Sequence, residues 1–350
     1  MNGSSAPGTS RGHGPAHRPS GRPDVLVCRI RSATTAGRTG AAARLAARLA
    51  EAAPEVQGWC DYVAAGCRSL EGDPQAALAM LDRSEQDGGW WADALLDDAS
   101  LRPVWELPGA PELRERVARR YAPVAAAARP RRVWLQRPER PQAAVVALHG
   151  NGPLPIGLLA RLWRELPGVA VLAVRSGALI APDVAVWRGG EEAVRTVSEG
   201  VDEARGAVPQ APLAVVGLGA GAGLASRVAV RRSGAVAGAV AVAPVLPAQG
   251  PYPDAEADAS RPAPRVLVLG DGEDGSQAGI DGYADWARGR GVDVRMWHRP
   301  GLGHAFPAEF GPDMGEALRL VLEGAPASAD RAAGGTGLQG AFGPGTEASG

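Results

Sequence analysis

Histidine is the side chain best suited to exchange a proton near neutral pH. This 350-residue chain has five: His13, His17, His149, His298 and His304. The first two lie in a Gly-, Ser- and Pro-rich stretch, so histidine chemistry must fall to the other three. His304 sits in Pro300-Gly301-Leu302-Gly303-His304-Ala305-Phe306-Pro307, downstream of three carboxylates, Asp271, Glu273 and Asp274. A carboxylate that orients an imidazole makes a general base. Two Gly-rich turns, His149-Gly150-Asn151-Gly152 and Gly217-Leu218-Gly219-Ala220-Gly221-Ala222-Gly223, could add backbone N–H donors for a developing oxyanion, from Asn151 and Ala220. The three cysteines, Cys28, Cys60 and Cys67, form no CxxC pair, which argues against structural zinc or dithiol redox chemistry. Cys60 and Cys67 lie seven apart in a helical stretch and read as buried thiols on one face. All 37 basic residues are Arg. Without Lys there is no Schiff-base, Walker A or kinase-strand lysine. No cofactor and no metal is expected.

The Gly217–Gly223 turn follows an apolar run and opens a helical one, which allows two readings. As GxGxxA before a helix it could hold a pyrophosphate. That reading needs an acidic residue about 20 positions on, and no Asp or Glu occurs between Glu203 and Asp254. The other reading is a nucleophile elbow, G-x-S-x-G on a sharp strand-to-helix turn. The frame Gly217-Leu218-Gly219-Ala220-Gly221 is intact, but its centre is Gly219. The literal G-x-S-x-G, Gly8-Thr9-Ser10-Arg11-Gly12, has neither a strand before it nor a helix after it and reads as chance.

These residues need elements to hold them. Residues 1–23 and 325–350 are expected to be disordered tails, because they offer almost no large apolar side chain to offset chain entropy. Residues 24–130 read as a helical domain, with helical spacing at 40–53, 55–70, 74–85, 91–97 and 111–127 and a possible short extended start at Val25-Leu26-Val27. Gly72-Asp73-Pro74 supplies a helix stop, a cap and a first-turn Pro. The 55–85 region resembles a tetratricopeptide hairpin, with Trp59 and Ala65 in the large and small places. From 131 to 324 strand-like runs near 142–149, 169–175, 213–218, 235–243, 265–269 and 293–298 alternate with helices near 155–165, 188–206, 220–232, 278–290 and 312–323. Several runs are almost wholly apolar, as parallel strands covered on both faces should be. The expected class is α/β, with a doubly wound, mostly parallel sheet behind an all-helical N-terminal domain.

The order of elbow, acid and histidine, with Leu148-His149-Gly150, Trp187, Ala-Val-Ala-Pro at 241–244 and Gly303-His304, resembles the carboxylesterase/phospholipase branch of the α/β-hydrolases, related to the dienelactone hydrolases. The resemblance covers residues 132–323. It implies a Ser nucleophile, a His base, an Asp orienter and ester substrates. Carried over, His304 is the base and Glu273 or Asp274 the acid, with Asp271 a lesser candidate; Asn151 and Ala220 form the oxyanion hole, and Trp187 and Ser176 line the pocket. The nucleophile has no counterpart, because Gly219 holds no atom that can carry an acyl group. Ser226 lies two helical turns further on. His149 reads as structural, holding its own Gly turn, and His298 as a core or edge residue.

The expected function is therefore that of an esterase-like protein that does not hydrolyse esters through an acyl-enzyme and instead binds a small ligand, or a partner protein through its helical domain. Two alternatives stand beside it. One is a non-hydrolytic lyase, isomerase or cyclase with His304 as base; the other is residual ester hydrolysis by directly activated water. A net charge of −1 gives no sign of steering toward nucleic acid or membranes. No apolar segment resembles a signal peptide or a span, so a cytoplasmic protein is expected.

Overall fold

The computed structural model describes residues 21–245, 263–270 and 277–323. Its first part is helical: α1 (Pro23–Thr35), α2 (Thr39–Ala52), α3 (Gln57–Leu70), α4 (Pro74–Gln86), the short α5 (Asp93–Leu96) and α6 (Arg102–Trp105), and α7 (Ala110–Ala127). The expected stop-and-cap holds between α3 and α4: Gly72 takes φ 87°, and the Asp73 carboxylate accepts from the Ala76 N–H at 3.0 Å. Leu49, Val56, Leu81, Trp91, Leu101 and Leu113 fill the main core there, and Ala33, Ala42 and Cys67 form a small cluster beside it. Glu85, buried in α4, accepts from Arg116 and Arg120 and so ties α4 to α7. Those guanidinium partners hold its carboxyl below the usual range even though burial opposes them.

Two expectations need correction at the start of the chain. Val25-Leu26-Val27 is helical, not extended: Leu26, Ile30 and Ala33 are buried at helical spacing, and Pro23 opens the helix as a first-turn proline should. Gly21, Arg22 and Pro23 also belong to the described fold and not to a tail. Arg22 pairs with Asp24 at 2.9 Å and donates to the carbonyls of Phe306 and Pro307. Asp24 accepts from the Phe306 N–H at 3.0 Å.

The strands are β1 (Arg131–Gln136), β2 (Ala143–Leu148), β3 (Val169–Arg175), β4 (Leu179–Ala181), β5 (Val184–Ala185), β6 (Leu213–Leu218), β7 (Gly238–Val242), β8 (Arg265–Gly270) and β9 (Asp293–His298). The main sheet has the order β1-β3-β2-β6-β7-β8-β9, with β1 antiparallel to β3 and the other pairs parallel. Helices α8 (Ile156–Trp163) and α12 (Phe310–Leu322) pack on one face; α9 (Gly190–Ala207), α10 (Ala220–Arg231) and α11 (Gln277–Arg288) pack on the other. Along β2, Ala143, Val145 and Ala147 enter one core while Ala144, Val146 and Leu148 enter the other. This double burial makes the run continuously apolar, and the doubly wound, mostly parallel sheet is the architecture the sequence predicts. His298 ends the edge strand β9 and is exposed.

The small β4–β5 hairpin was not expected. Its turn passes through Asp183 at φ 54°, and Ala181 and Val184 bury their side chains in the helical core. No helix among the described residues is long and apolar enough to cross a membrane.

The contact of α1 with the 304–307 loop yields a test. Asp24 is 2% exposed, and Asp24→Ala would leave the Arg22 guanidinium without its carboxylate. Urea unfolding should show a loss of about 3 kcal/mol, as for a half-removed buried ion pair. A loss within about 0.5 kcal/mol, typical of surface substitutions, would mean that α1 is not coupled to that loop.

Candidate functional site

Three glycines shape the turn between β6 and α10, each for its own steric reason. A Cβ on Gly217 would meet the Gly221 carbonyl oxygen at 2.2 Å, and one on Gly221 would meet the His149 carbonyl oxygen at 2.2 Å. Only residues without a side chain let these backbones approach so closely. Gly219 has φ 58° and ψ −118°, backbone values that side-chain-bearing residues adopt under strain. Its N–H donates to Val242 at 2.9 Å and its carbonyl accepts from Val245 at 3.1 Å, so the turn is anchored to β7.

His304 lies directly against this turn. A Cβ placed on Gly219 would stand 2.5 Å from His304 Nε2 and 2.8 Å from Cε1. The imidazole thus occupies the volume that a side chain at position 219 would need. The His304 N–H donates to Cys28 Sγ at 3.2 Å, which joins α1 to the same loop. Sequence reading assigned Cys28, Asp24 and Arg22 no part near His304. No local pattern signals the contact, because the partners are 276 to 285 positions apart. Asp271, Glu273 and Asp274 lie outside the described residues. Ser226 is fully buried within α10, and its hydroxyl donates to the Ala222 carbonyl at 3.0 Å, which takes it out of reach of this turn.

The second Gly turn is a hydrogen-bonded cluster. The Asn151 side-chain oxygen accepts from the Trp187 N–H at 2.6 Å, and its amide donates to the Trp187 carbonyl at 3.4 Å. Trp187 donates its indole N–H to the His149 carbonyl at 2.8 Å and stacks on the His149 ring, with centroids 4.8 Å apart. His149 Nε2 accepts from the Ser176 N–H at 3.1 Å, so the ring proton sits on Nδ1, which donates to the Gly150 carbonyl at 2.7 Å. Asn151 and Trp187 therefore meet at the mouth of β2. Ala220 opens α10, so its N–H is among those a helix leaves without an internal acceptor. Ser176 and Trp187 line a cavity whose walls include neither Gly219 nor His304. Cys60 is buried, and burial with the neighbouring Asp61 charge pushes its thiol up to about 12, which suits an inert core thiol. Among the described residues no group of His, Cys, Asp and Glu is arranged to hold a metal.

No family model matches the sequence, and comparison with curated proteins finds no relative. Among solved structures the chain is similar to an uncharacterized protein from Bacillus cereus ATCC 10987, at TM-score 0.46 and 15% identity over 85% of this chain and 98% of that one. It is also similar to the Bacillus cereus carboxylesterase, at TM-score 0.43 and 20% identity over 57% and 95% of the two chains. Zea mays acyl-protein thioesterase 2 gives TM-score 0.42 and 18% identity over 56% and 99%. The site's chemistry is therefore read from this chain's own residues.

His149 supplies a pH test. Burial, with a smaller push from Arg175, lowers its pKa from 6.5 to about 4, although the Gly150 hydrogen bond opposes this. The folded ring stays neutral where the unfolded ring takes up a proton. Its contribution is complete above pH 6.5 and drains away as pH falls toward 4. The melting temperature should fall between pH 7 and pH 5. His149→Gln should lower it at pH 7 and flatten the slope below; an unchanged slope would count against a buried neutral ring.

Proposed function

We propose that this chain is an esterase-like α/β protein that binds a small molecule and does not hydrolyse esters through an acyl-enzyme. The observation that carries this reading is Gly219 itself, which has no atom to attack a carbonyl, with the His304 imidazole packed into the space a nucleophile's side chain would take. Loss of the nucleophile from a triad costs on the order of 10⁶-fold in turnover.

A small ligand is favoured over a protein partner. The helical region's core already accepts Ala181 and Val184 from the β4–β5 hairpin. Among the described residues the exposed large apolar side chains, Leu70, Val133, Val245 and Met296, lie on separate segments, with Val133 and Met296 on the two opposite edge strands of the sheet. In the second reading His304 is a base acting beside the N–H groups of Asn151 and Ala220.

A fluorophosphonate probe should leave the wild-type protein unlabelled, and p-nitrophenyl acetate turnover should equal that of His304→Ala. Stoichiometric labelling, or turnover that depends on His304, would overturn the reading. Gly219→Ser probes the remaining frame. The clash is with the end of a side chain, so the imidazole can swing aside. The variant should fold, with a backbone cost of about 1 kcal/mol, and gain weak esterase activity that disappears in Gly219→Ser with His304→Ala. A folded but inactive Gly219→Ser protein would mean that His304 does not act as a base at this turn.

A further inference from the structure

The cleft that Ser176 and Trp187 line lies between the end of α7, the chain after β3 and the first turns of α9, opens to solvent past Arg129, Arg188 and Glu192, and offers about 510 Å³. That is within the roughly 300–1,000 Å³ of small-molecule sites. Tyr121, Pro130, Leu179 and Trp187 give it apolar surface. Its polar groups include two hydroxyls. Thr196 is only 6% exposed as a residue and lines the cavity, so its hydroxyl is a polar group on the cavity wall. Ser176, 9% exposed, accepts from the Ala178 N–H at 3.1 Å, which leaves its own O–H to donate.

Charge at the cavity favours an anion. Arg129 and Arg188 both line it. Arg129 spends Nη1 on the carbonyls of Ala126 and Ala128 and keeps its other N–H groups. Arg188 forms no ion pair among the described residues. Against these two cations stands one carboxylate, Glu192. The neighbouring Glu191 turns away to Arg231, at 2.9 Å through one of its two contacts. The cavity also receives the start of α9, an 18-residue helix whose first N–H groups carry partial positive charge.

We infer that this cavity binds a small organic anion, a flat apolar body carrying a carboxylate or sulfonate-like head, with the head on Arg188, Thr196 and Ser176 and the body against Trp187 and Tyr121. The inference deepens the binding role proposed above and rests on it. It adds a place and a ligand chemistry that do not involve Gly219 or His304.

The test uses the full chain and 8-anilinonaphthalene-1-sulfonate, whose fluorescence reports binding. One equivalent should bind. Arg188→Gln should weaken it about tenfold, the loss of one charge-assisted hydrogen bond. Thr196→Val, which keeps the shape and removes the hydroxyl, should weaken it several-fold with an unchanged melting temperature. Arg83→Gln, in the separate cavity between α3 and α4, should have no effect. The uncharged N-phenyl-1-naphthylamine should bind more weakly than the sulfonate. Absence of stoichiometric binding would overturn the inference, as would affinity indifferent to both Arg188→Gln and Thr196→Val, or equal affinity for the neutral probe. The esterase assays separate this from the functional reading. Ester hydrolysis with intact, Arg188-dependent probe binding would sink the non-hydrolytic reading alone; no hydrolysis and no probe binding would sink the cavity alone.

Discussion

The site depends on one steric constraint, the contact between the backbone that leaves β2 and the backbone that leaves β6. The His149 carbonyl oxygen lies where a Cβ on Gly221 would be, and the Gly221 carbonyl lies where a Cβ on Gly217 would be. Both turns are therefore locked together before any functional side chain is placed. Trp187 then closes over the same carbonyl of His149 and the same Asn151, and His149 fixes Ser176. A small number of atoms thus sets the relative position of the N–H groups, the indole and the chain after β3. The glycines flanking position 219 are required by packing alone, so their presence says nothing about catalysis. Position 219 is different: its neighbour is an imidazole, a group at the end of a side chain that can move.

That difference separates what the fold requires from what a function would select. With backbone at φ 58° and ψ −118°, Gly219 adopts without strain a shape that a serine would hold at a cost. Once glycine is there, His304 can settle into the vacated volume. Its own loop is held from the outside by α1, through Cys28 on its backbone N–H and Asp24 on that of Phe306. The same loop is thereby braced on both sides.

Most of the sheet was legible in the sequence because burial on both faces writes a continuous apolar run. β2, β3, β6 and β8 each appear within a residue or so of the expected bounds. β1 and the β4–β5 hairpin were missed for the opposite reason. β1 begins Arg131-Arg132 and is half-exposed along the edge, and the hairpin strands are only three and two residues long. Val25-Leu26-Val27 misled because three adjacent apolar residues fit either period; the more distant Ile30 and Ala33 decide it. At the site, the spacing of glycines marked the turn and the chain order marked His304. The occupation of the Gly219 volume left no trace in the sequence, since it is a contact between side-chain and backbone atoms 85 positions apart. The docking of α1 on the 304–307 loop was equally silent.

That docking also has a consequence in time. The first helix makes its polar contacts with residues some 280 positions downstream. At roughly 5–20 residues per second, synthesis needs on the order of 15–60 s to deliver the loop that Asp24 and Arg22 bind. During that interval the carboxylate and guanidinium of α1 have each other as partners, at 2.9 Å, and nothing from the loop. The Arg22–Asp24 pair can therefore form early and hold the two charges in place for contacts that arrive much later, when the loop before α12 completes what α1 began.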